Sequence, residues 1–182
     1  MKMIEMHIHS FSLRYHFQYK PNFDVFRFIE LAAEEGFTGV NISANGPGYR
    51  DLGGTTASHF EQIRQTLSEY DMNCEIDTSD TRVDNLQTML VVTEAVGANQ
   101  LRVYTKYTGS LDELIAWTIR DLSAIAPLAE EKGITIVLEN HEDFQGETIH
   151  HILSEVNHPC IRALYDYGNS QMVGEDPLVA LR

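Results

Sequence analysis

Apolar and polar positions alternate along the chain with two different periods, which predict strands and helices in turn. Short apolar runs that end in polar residues predict strands near 4–9, 38–43, 73–78, 100–105, 134–139 and 161–166. Between them, apolar residues spaced i, i+3 and i+4 predict helices near 23–35, 56–70, 82–96, 110–132 and 146–156, with a sixth beginning near 175.

A recurring segment joins these elements: a helix end, a glycine and then a short apolar strand. It occurs as "LAAEEGFTGVNIS" (31–43), "VTEAVGANQLRVY" (92–104) and "LAEEKGITIVLEN" (128–140). Glycine suits the left-handed position that ends a helix, because it has no Cβ to clash there. Strands and helices that alternate in this way predict parallel strands joined by right-handed crossovers.

Two architectures fit this alternation, a doubly wound open sheet and a (β/α)8 barrel. A dinucleotide-binding sheet would carry a glycine fingerprint after its first strand, whereas "EMHIHSFSLRYHF" has no glycine there. The sequence therefore favours an α/β fold of the (β/α)8 TIM-barrel type, with parallel strands and about six βα units present. We expect one partial barrel domain over residues 1–182. The missing fingerprint also disfavours a nicotinamide-dependent enzyme.

Charge and composition narrow the possible partners. The formal charge of −14 disfavours nucleic acid, since phosphate contacts require a basic surface. No stretch resembles a membrane span of about 20 apolar residues, and the start of the chain lacks the features of a secretory signal. Cys74 and Cys160 have neither disulfide-framework nor zinc-site spacing. We therefore expect a cytoplasmic protein with no nucleic-acid partner and no membrane partner.

Candidate chemistry lies where the predicted strands end, because barrels gather functional groups there. These positions hold His7, His9, Asn41, Asn45, Glu75, Asp77, Arg102, Tyr104, Lys106, Glu139, His141, Asp166 and Asn169. Carboxylates and imidazoles that share one cavity repel or desolvate each other unless a cation sits among them. A divalent ion would meet that need, and oxygen-rich ligation suits Mn²⁺ or Mg²⁺.

Four motifs resemble the xylose-isomerase-like sugar phosphate isomerase/epimerase superfamily: "MHIHSFSLR" (6–14), "LRVY" (101–104), "ENH" (139–141) and "LYDYGN" (164–169). The resemblance extends over essentially the whole chain and implies a barrel with one divalent ion. That ion is Mn²⁺ by preference, with Mg²⁺, Co²⁺ or Zn²⁺ as alternatives. The family holds it with a glutamate and an aspartate ending the fifth and sixth strands, and a histidine and a glutamate from the last two. Glu139 and Asp166 match the first two metal ligands.

The resemblance also implies a function, a divalent-metal-dependent sugar or keto-sugar isomerase or epimerase that acts through a metal-stabilised enediolate. Glu139 is then the catalytic base as well as a ligand. His7, His9, His141, Asn169 and Lys106 are the expected substrate-binding residues. Asn169 departs from the pattern, because epimerases of this group often carry a histidine there.

The chain stops before the last two strands of the family, so we expect the family's C-terminal part to be lacking. This sequence is then a fragment of a longer protein, or a partner chain completes the barrel, or the barrel is curtailed. A homo-oligomer is the alternative to a separate partner chain. Two alternatives to an isomerase stay open. One is a keto-sugar dehydratase or lyase, inosose-dehydratase-like or keto-glycoside-cleaving, at the same metal site. The other is a non-catalytic partial-barrel subunit of a larger assembly.

Overall fold

The computed structural model describes residues 4–180, and strands alternate with helices along this range. The described chain divides into two units. The first contains residues 4–78 and 91–100, and the second contains residues 79–90 and 101–180.

The first unit contains parallel strands β1 (His7–His9), β2 (Gly39–Ser43) and β3 (Asn73–Ser79), in that order. The register sets Asn41 beside both His9 and Glu75. Alternate residues of a strand share a face, so this register collects polar side chains on one face of the three strands. The opposite face carries Val40, Ile42, Cys74 and Ile76, all of which are buried.

Three α-helices belong to the first unit, α1 (Arg14–Tyr19), α2 (Val25–Glu34) and α3 (Ala57–Glu69). Short 3-10 segments cover Ser10–Leu13 and Pro47–Leu52. Side-chain caps start two of the helices: Asp24 accepts from the amide of Arg27 (3.0 Å) before α2, and Thr56 accepts from that of His59 (3.3 Å) before α3. Helix α4 (Val83–Ala95) has residues in both units.

The second unit contains β4 (Gln100–Tyr104), β5 (Thr135–Glu139) and β6 (Ile161–Leu164), again in chain order. Strands β5 and β6 are parallel, with Glu139 beside Leu164 in the register. The helices are α5 (Leu111–Glu131), α6 (Gly146–Val156), α7 (Tyr167–Met172) and α8 (Pro177–Ala180). Within residues 4–180, no helix has the length and apolarity needed to cross a membrane.

Strand and helix positions largely agree with the sequence-based prediction, and the left-handed glycines after α2, α4 and α5 confirm the helix-ending pattern (φ of +81°, +79° and +65° at Gly36, Gly97 and Gly133). Helices α1 and α7 were not predicted. No residue of α1 is buried, so it has no apolar stripe that a sequence pattern could reveal. Strand β6 was predicted to reach residue 166 but ends at Leu164, because Asp166 caps α7 instead.

Replacing Ser110 with alanine is expected to lower the free energy of unfolding by about 1 kcal/mol. Its hydroxyl accepts from the Glu113 amide (3.4 Å), and the Glu113 carboxylate accepts from the Ser110 amide (2.9 Å), so the substitution removes half of a capping box. Urea unfolding measures the change. Ser68→Ala, at an exposed site inside α3, is the matched control and should change the value by less than about 0.5 kcal/mol. Equal effects of the two substitutions would contradict the capping role.

Candidate functional site

Glu139 ends β5 as a carboxylate that is almost completely buried, with its side chain 1% exposed. The Nη2 group of Arg102, from the neighbouring strand β4, donates to both of its carboxylate oxygens. A buried carboxylate needs such a countercharge, because removing it from water without one is strongly unfavourable. The Arg102 side chain is 15% exposed and is the member of the pair nearer to solvent.

Asn140 follows directly and is completely buried. Its side-chain amide donates to the main-chain oxygen of Asp166 and to the Ser170 hydroxyl, both at 3.0 Å, and its oxygen accepts from the Asp166 amide at 2.6 Å. One side chain therefore fixes the end of β5 against the segment that follows β6. Alternation along the strand had drawn attention to Glu139 and His141, so sequence reasoning gave Asn140 no role.

Asp166 lies two residues beyond β6, where it caps α7. Its Oδ1 accepts from the amides of Gly168 (2.7 Å) and Asn169 (3.0 Å). Its main chain is held from both sides by Asn140. Asn169, a predicted substrate-binding residue, thus lies in the first turn of α7, and that role stays a prediction.

The predicted metal ligands Glu139 and Asp166 belong to the same unit and follow two paired strands. Carboxylate oxygens are ligands of a kind that suits a divalent ion. The set is incomplete in number, because residues 4–180 contain no group of three or more His, Cys, Asp or Glu side chains placed to hold a metal. Among the described residues, the predicted ligands are therefore two carboxylate groups, and Arg102 already binds one of them. Their role as metal ligands stays a prediction.

His141 stacks on Tyr104, with ring centroids 4.0 Å apart and ring planes 10° apart. Tyr104 ends β4 and His141 follows β5, so the stack forms a flat aromatic surface beyond two neighbouring strands. The Arg102 guanidinium lies 5.9 Å from the centre of the Tyr104 ring. The role of His141 in substrate binding stays a prediction. Its stacking partner Tyr104 was among the strand-end residues but had no predicted role.

Lys106 lies in the loop after β4, with its ammonium 3.5 Å from the Ser79 hydroxyl. The next residue, Tyr107, fixes this loop by donating its hydroxyl to the buried carboxylate of Asp121 and accepting from Arg120 (2.9 Å). Burial, with the hydrogen bond to Asp121 as the next cause, raises the pKa of Tyr107 to about 12. The loop is therefore anchored next to Lys106, whose proposed contact with substrate stays a prediction.

His7 begins the polar face of the first unit. Its Nδ1 lies 3.2 Å from the Glu75 carboxylate, whose other oxygen accepts from Asn41 (3.1 Å). Gly39 makes room for the imidazole, since a Cβ at that position would lie 2.5 Å from the ring. Within residues 4–180, the buried Nε2 of His7 has no hydrogen-bond partner. A ring nitrogen in this state could be satisfied by a polar ligand, so the predicted substrate-binding role remains open.

His9 is held at both ring nitrogens. Its Nδ1 accepts from the amide of Phe11 (2.9 Å), so a neutral ring carries its proton on Nε2, 3.5 Å from the Asp77 carboxylate. Asn45 donates to the same carboxylate oxygen of Asp77 (2.9 Å). These contacts connect the segment after β1 to the end of β3. A substrate-binding role for His9 stays a prediction.

Comparison with known protein families identifies the family of this chain. Residues 29–182 match the family described as xylose isomerase-like TIM barrel. The chain therefore belongs to that family, which confirms the predicted resemblance and the partial (β/α)8 fold with six βα units.

Individual relatives are distant. The uncharacterized protein YihM of Escherichia coli (strain K12) is 21% identical over 154 residues, which cover 85% of this chain and 47% of that protein. The chain thus spans about half the length of this curated relative. D-psicose 3-epimerase from Clostridium cellulolyticum H10, solved with D-tagatose, superposes with a TM-score of 0.78 at 12% identity, covering 98% of this chain and 69% of that one. An L-ribulose 3-epimerase gives 0.76 at 14% identity, covering 98% and 66%. At these identities the structures share the fold.

Replacing Asn140 with alanine is expected to lower the free energy of unfolding by about 2–3 kcal/mol, because it leaves partly buried main-chain groups of Asp166 without partners and opens a gap at a fully buried position. Urea unfolding gives the magnitude, and amide NMR reports whether the Asp166 resonance moves. Asn99→Ala, in the exposed turn before β4, is the control and should stay within about 0.5 kcal/mol of the parent. An Asn140→Ala protein as stable as this control would show that the link between β5 and the segment after β6 does not stabilise the fold.

Proposed function

We propose that this chain acts in a cytoplasmic, divalent-metal-dependent sugar or keto-sugar isomerase or epimerase, with Glu139 as the base. The base would remove the proton next to a substrate carbonyl and leave an enediolate. The observation that carries the proposal is the buried carboxylate of Glu139, which ends β5 and is paired with a cation from β4. Membership of the xylose isomerase-like family and the sugar epimerases among its structural neighbours support it.

Arg102 and Glu139 would act as one unit in this reaction. The guanidinium, the more exposed partner, would donate to the substrate carbonyl oxygen while the adjacent carboxylate takes the α-proton. Protonation neutralises Glu139 and releases part of the Arg102 charge. The same N–H groups can then stabilise the negative charge that develops on the substrate oxygen.

Glu139 and Asp166 are the residues of this chain that would hold the ion, Mn²⁺ by preference. When bound, a divalent ion supplies Lewis-acid stabilisation of the developing oxyanion. Their carboxylate chemistry fits, and Asn140 positions both, since it follows Glu139 directly and holds the main chain of Asp166. Further ligands would come from outside the described residues or from a partner chain.

The stacked pair of Tyr104 and His141 would orient the sugar. A flat ring surface suits the C–H groups of a pyranose or an extended ketose, and His141 can add a hydrogen bond through its imidazole. Tyr104 ends the strand that carries Arg102, and His141 follows the strand that ends at Glu139. The substrate would therefore be positioned by residues next to the reacting pair.

Exchange of the α-proton tests this proposal directly, because every later outcome depends on that step. The chain is incubated in deuterated water with a panel of ketoses and with Mn²⁺, Mg²⁺, Co²⁺ or Zn²⁺ in turn, and NMR follows loss of the α-proton signal. Glu139→Gln should slow exchange by at least about 100-fold, as expected for loss of a general base. It should also weaken Mn²⁺ binding, measured separately by water proton relaxation.

Glu142→Gln is the matched control, because it makes the same change at an exposed neighbour that follows the strand end. It should leave both exchange and Mn²⁺ binding at the parental level. Unchanged exchange in Glu139→Gln would remove that residue from the mechanism. Absence of exchange in the parent chain with all four ions would refute the proposed activity for this chain.

A further inference from the structure

In the first unit, one recess is lined by residues of α1 and of the 3-10 segment Pro47–Leu52. Its volume is about 330 Å³, and its walls are formed by Arg14, Phe17, Gln18, Arg50 and Asp51. Arginine and lysine together number 13 in this chain, against 27 acidic residues. Two arginines and one aspartate line this recess, so its net charge is positive although that of the chain is negative, and negative charge is favoured there.

Arg14 is fixed before any ligand arrives. Its guanidinium carbon lies 4.5 Å from the centre of the Phe11 ring and 4.4 Å from that of Tyr15, and its Nη1 donates to the Phe11 main-chain oxygen (3.3 Å). Stacking on two rings restricts the side chain while leaving its charge in place. A guanidinium has five N–H donors, so this one contact leaves capacity for a ligand.

The Arg50 side chain is restrained by its backbone conformation and by a contact of its Nε. Its φ of +24° and ψ of −97° are rarely adopted by residues with a side chain, and it follows Tyr49 at φ +48°. Glycine would adopt this conformation with less strain, so the presence of an arginine side chain here has an energetic cost. The Asp51 carboxylate lies 3.4 Å from the Arg50 Nε, which orients the guanidinium.

Asp51 offsets one of the two arginine charges, and the three charged residues of the recess together keep a net positive charge. Its side chain is 6% exposed, and its Oδ2 accepts from the buried Ser10 hydroxyl at 2.6 Å. Its other oxygen faces Arg50. Both oxygens therefore have protein partners, and Asp51 serves to position Arg50.

We infer that Arg14 and Arg50 form an oxyanion-binding site for a small molecule that carries a carboxylate or a phosphate. Planar guanidinium groups bind both groups through paired N–H donors. The volume accommodates a sugar-sized molecule in addition to the anionic group. The inference is independent of the proposed isomerase activity, because it concerns binding in the first unit and needs no turnover.

Isothermal titration tests the site with three probes: inorganic phosphate, gluconate and the uncharged sorbitol. The parent should bind phosphate or gluconate saturably, and the stronger of the two identifies the anion type. Sorbitol should not bind. Arg14→Gln and Arg50→Gly should each weaken that binding by at least about tenfold. Arg64→Gln, which alters an exposed arginine in α3, should leave it unchanged.

Arg50→Gly separates binding from folding, because glycine relieves the strained backbone while removing the guanidinium. The substitution also leaves one oxygen of Asp51 without its cation, so the variant should still unfold in a single cooperative urea transition, with a midpoint at or below that of the parent, while anion binding is lost. The inference is overturned if the parent binds neither anion, if sorbitol binds as tightly as gluconate, or if Arg50→Gly binds the anion like the parent. If Arg14→Gln fails to fold, the titration of Arg50→Gly alone decides whether the recess binds the anion.

Discussion

The buried ion pair between Arg102 and Glu139 is the constraint on which the candidate site depends. A carboxylate that is 1% exposed at the end of a strand is tolerable only with a cation beside it, and β4 supplies that cation from the adjacent strand. Both strands must therefore keep their register for the site to exist. Asn140 extends this dependence to the next strand, because its side chain fixes the segment that carries Asp166. The same contacts therefore contribute to the stability of the fold and to the geometry of the candidate site.

In the first unit, carboxylates near the strand ends are likewise paired with polar side chains of neighbouring strands. Carboxylates of β3 accept from amide side chains and lie against the imidazoles of β1, which gives the pairs His7–Glu75 and His9–Asp77. Room for one of these rings exists only because β2 carries Gly39. Polar side chains on this face of the parallel sheet are stabilised by hydrogen bonds and ion pairs with each other. This pairing explains how strands with one apolar face can carry imidazole and carboxylate side chains on the other.

Periodicity predicted the six strands and the longer helices because both depend on which faces are buried, and burial leaves a regular trace in the sequence. It could not predict α1, none of whose residues is fully buried, or α7, which is capped by Asp166, a residue that the family resemblance assigns to the metal. Strand-end position in the sequence singled out Glu139 and Asp166, and their functional roles stay predictions. Arg102 was also among the strand-end residues, but its pairing with Glu139 was not predictable. This pairing, like the contacts of Asn140 with Asp166, joins neighbouring strands, and alternation along one strand does not encode such contacts.

A double-mutant cycle on Arg102 and Glu139 tests the central claim most directly. The free energy of unfolding is measured for the parent, Arg102→Gln, Glu139→Gln and the double variant. If the two groups neutralise each other in the interior, the single substitutions together cost at least about 2 kcal/mol more than the double substitution. Additive effects, agreeing within about 0.5 kcal/mol, would show that the two charges do not depend on each other and would contradict the account.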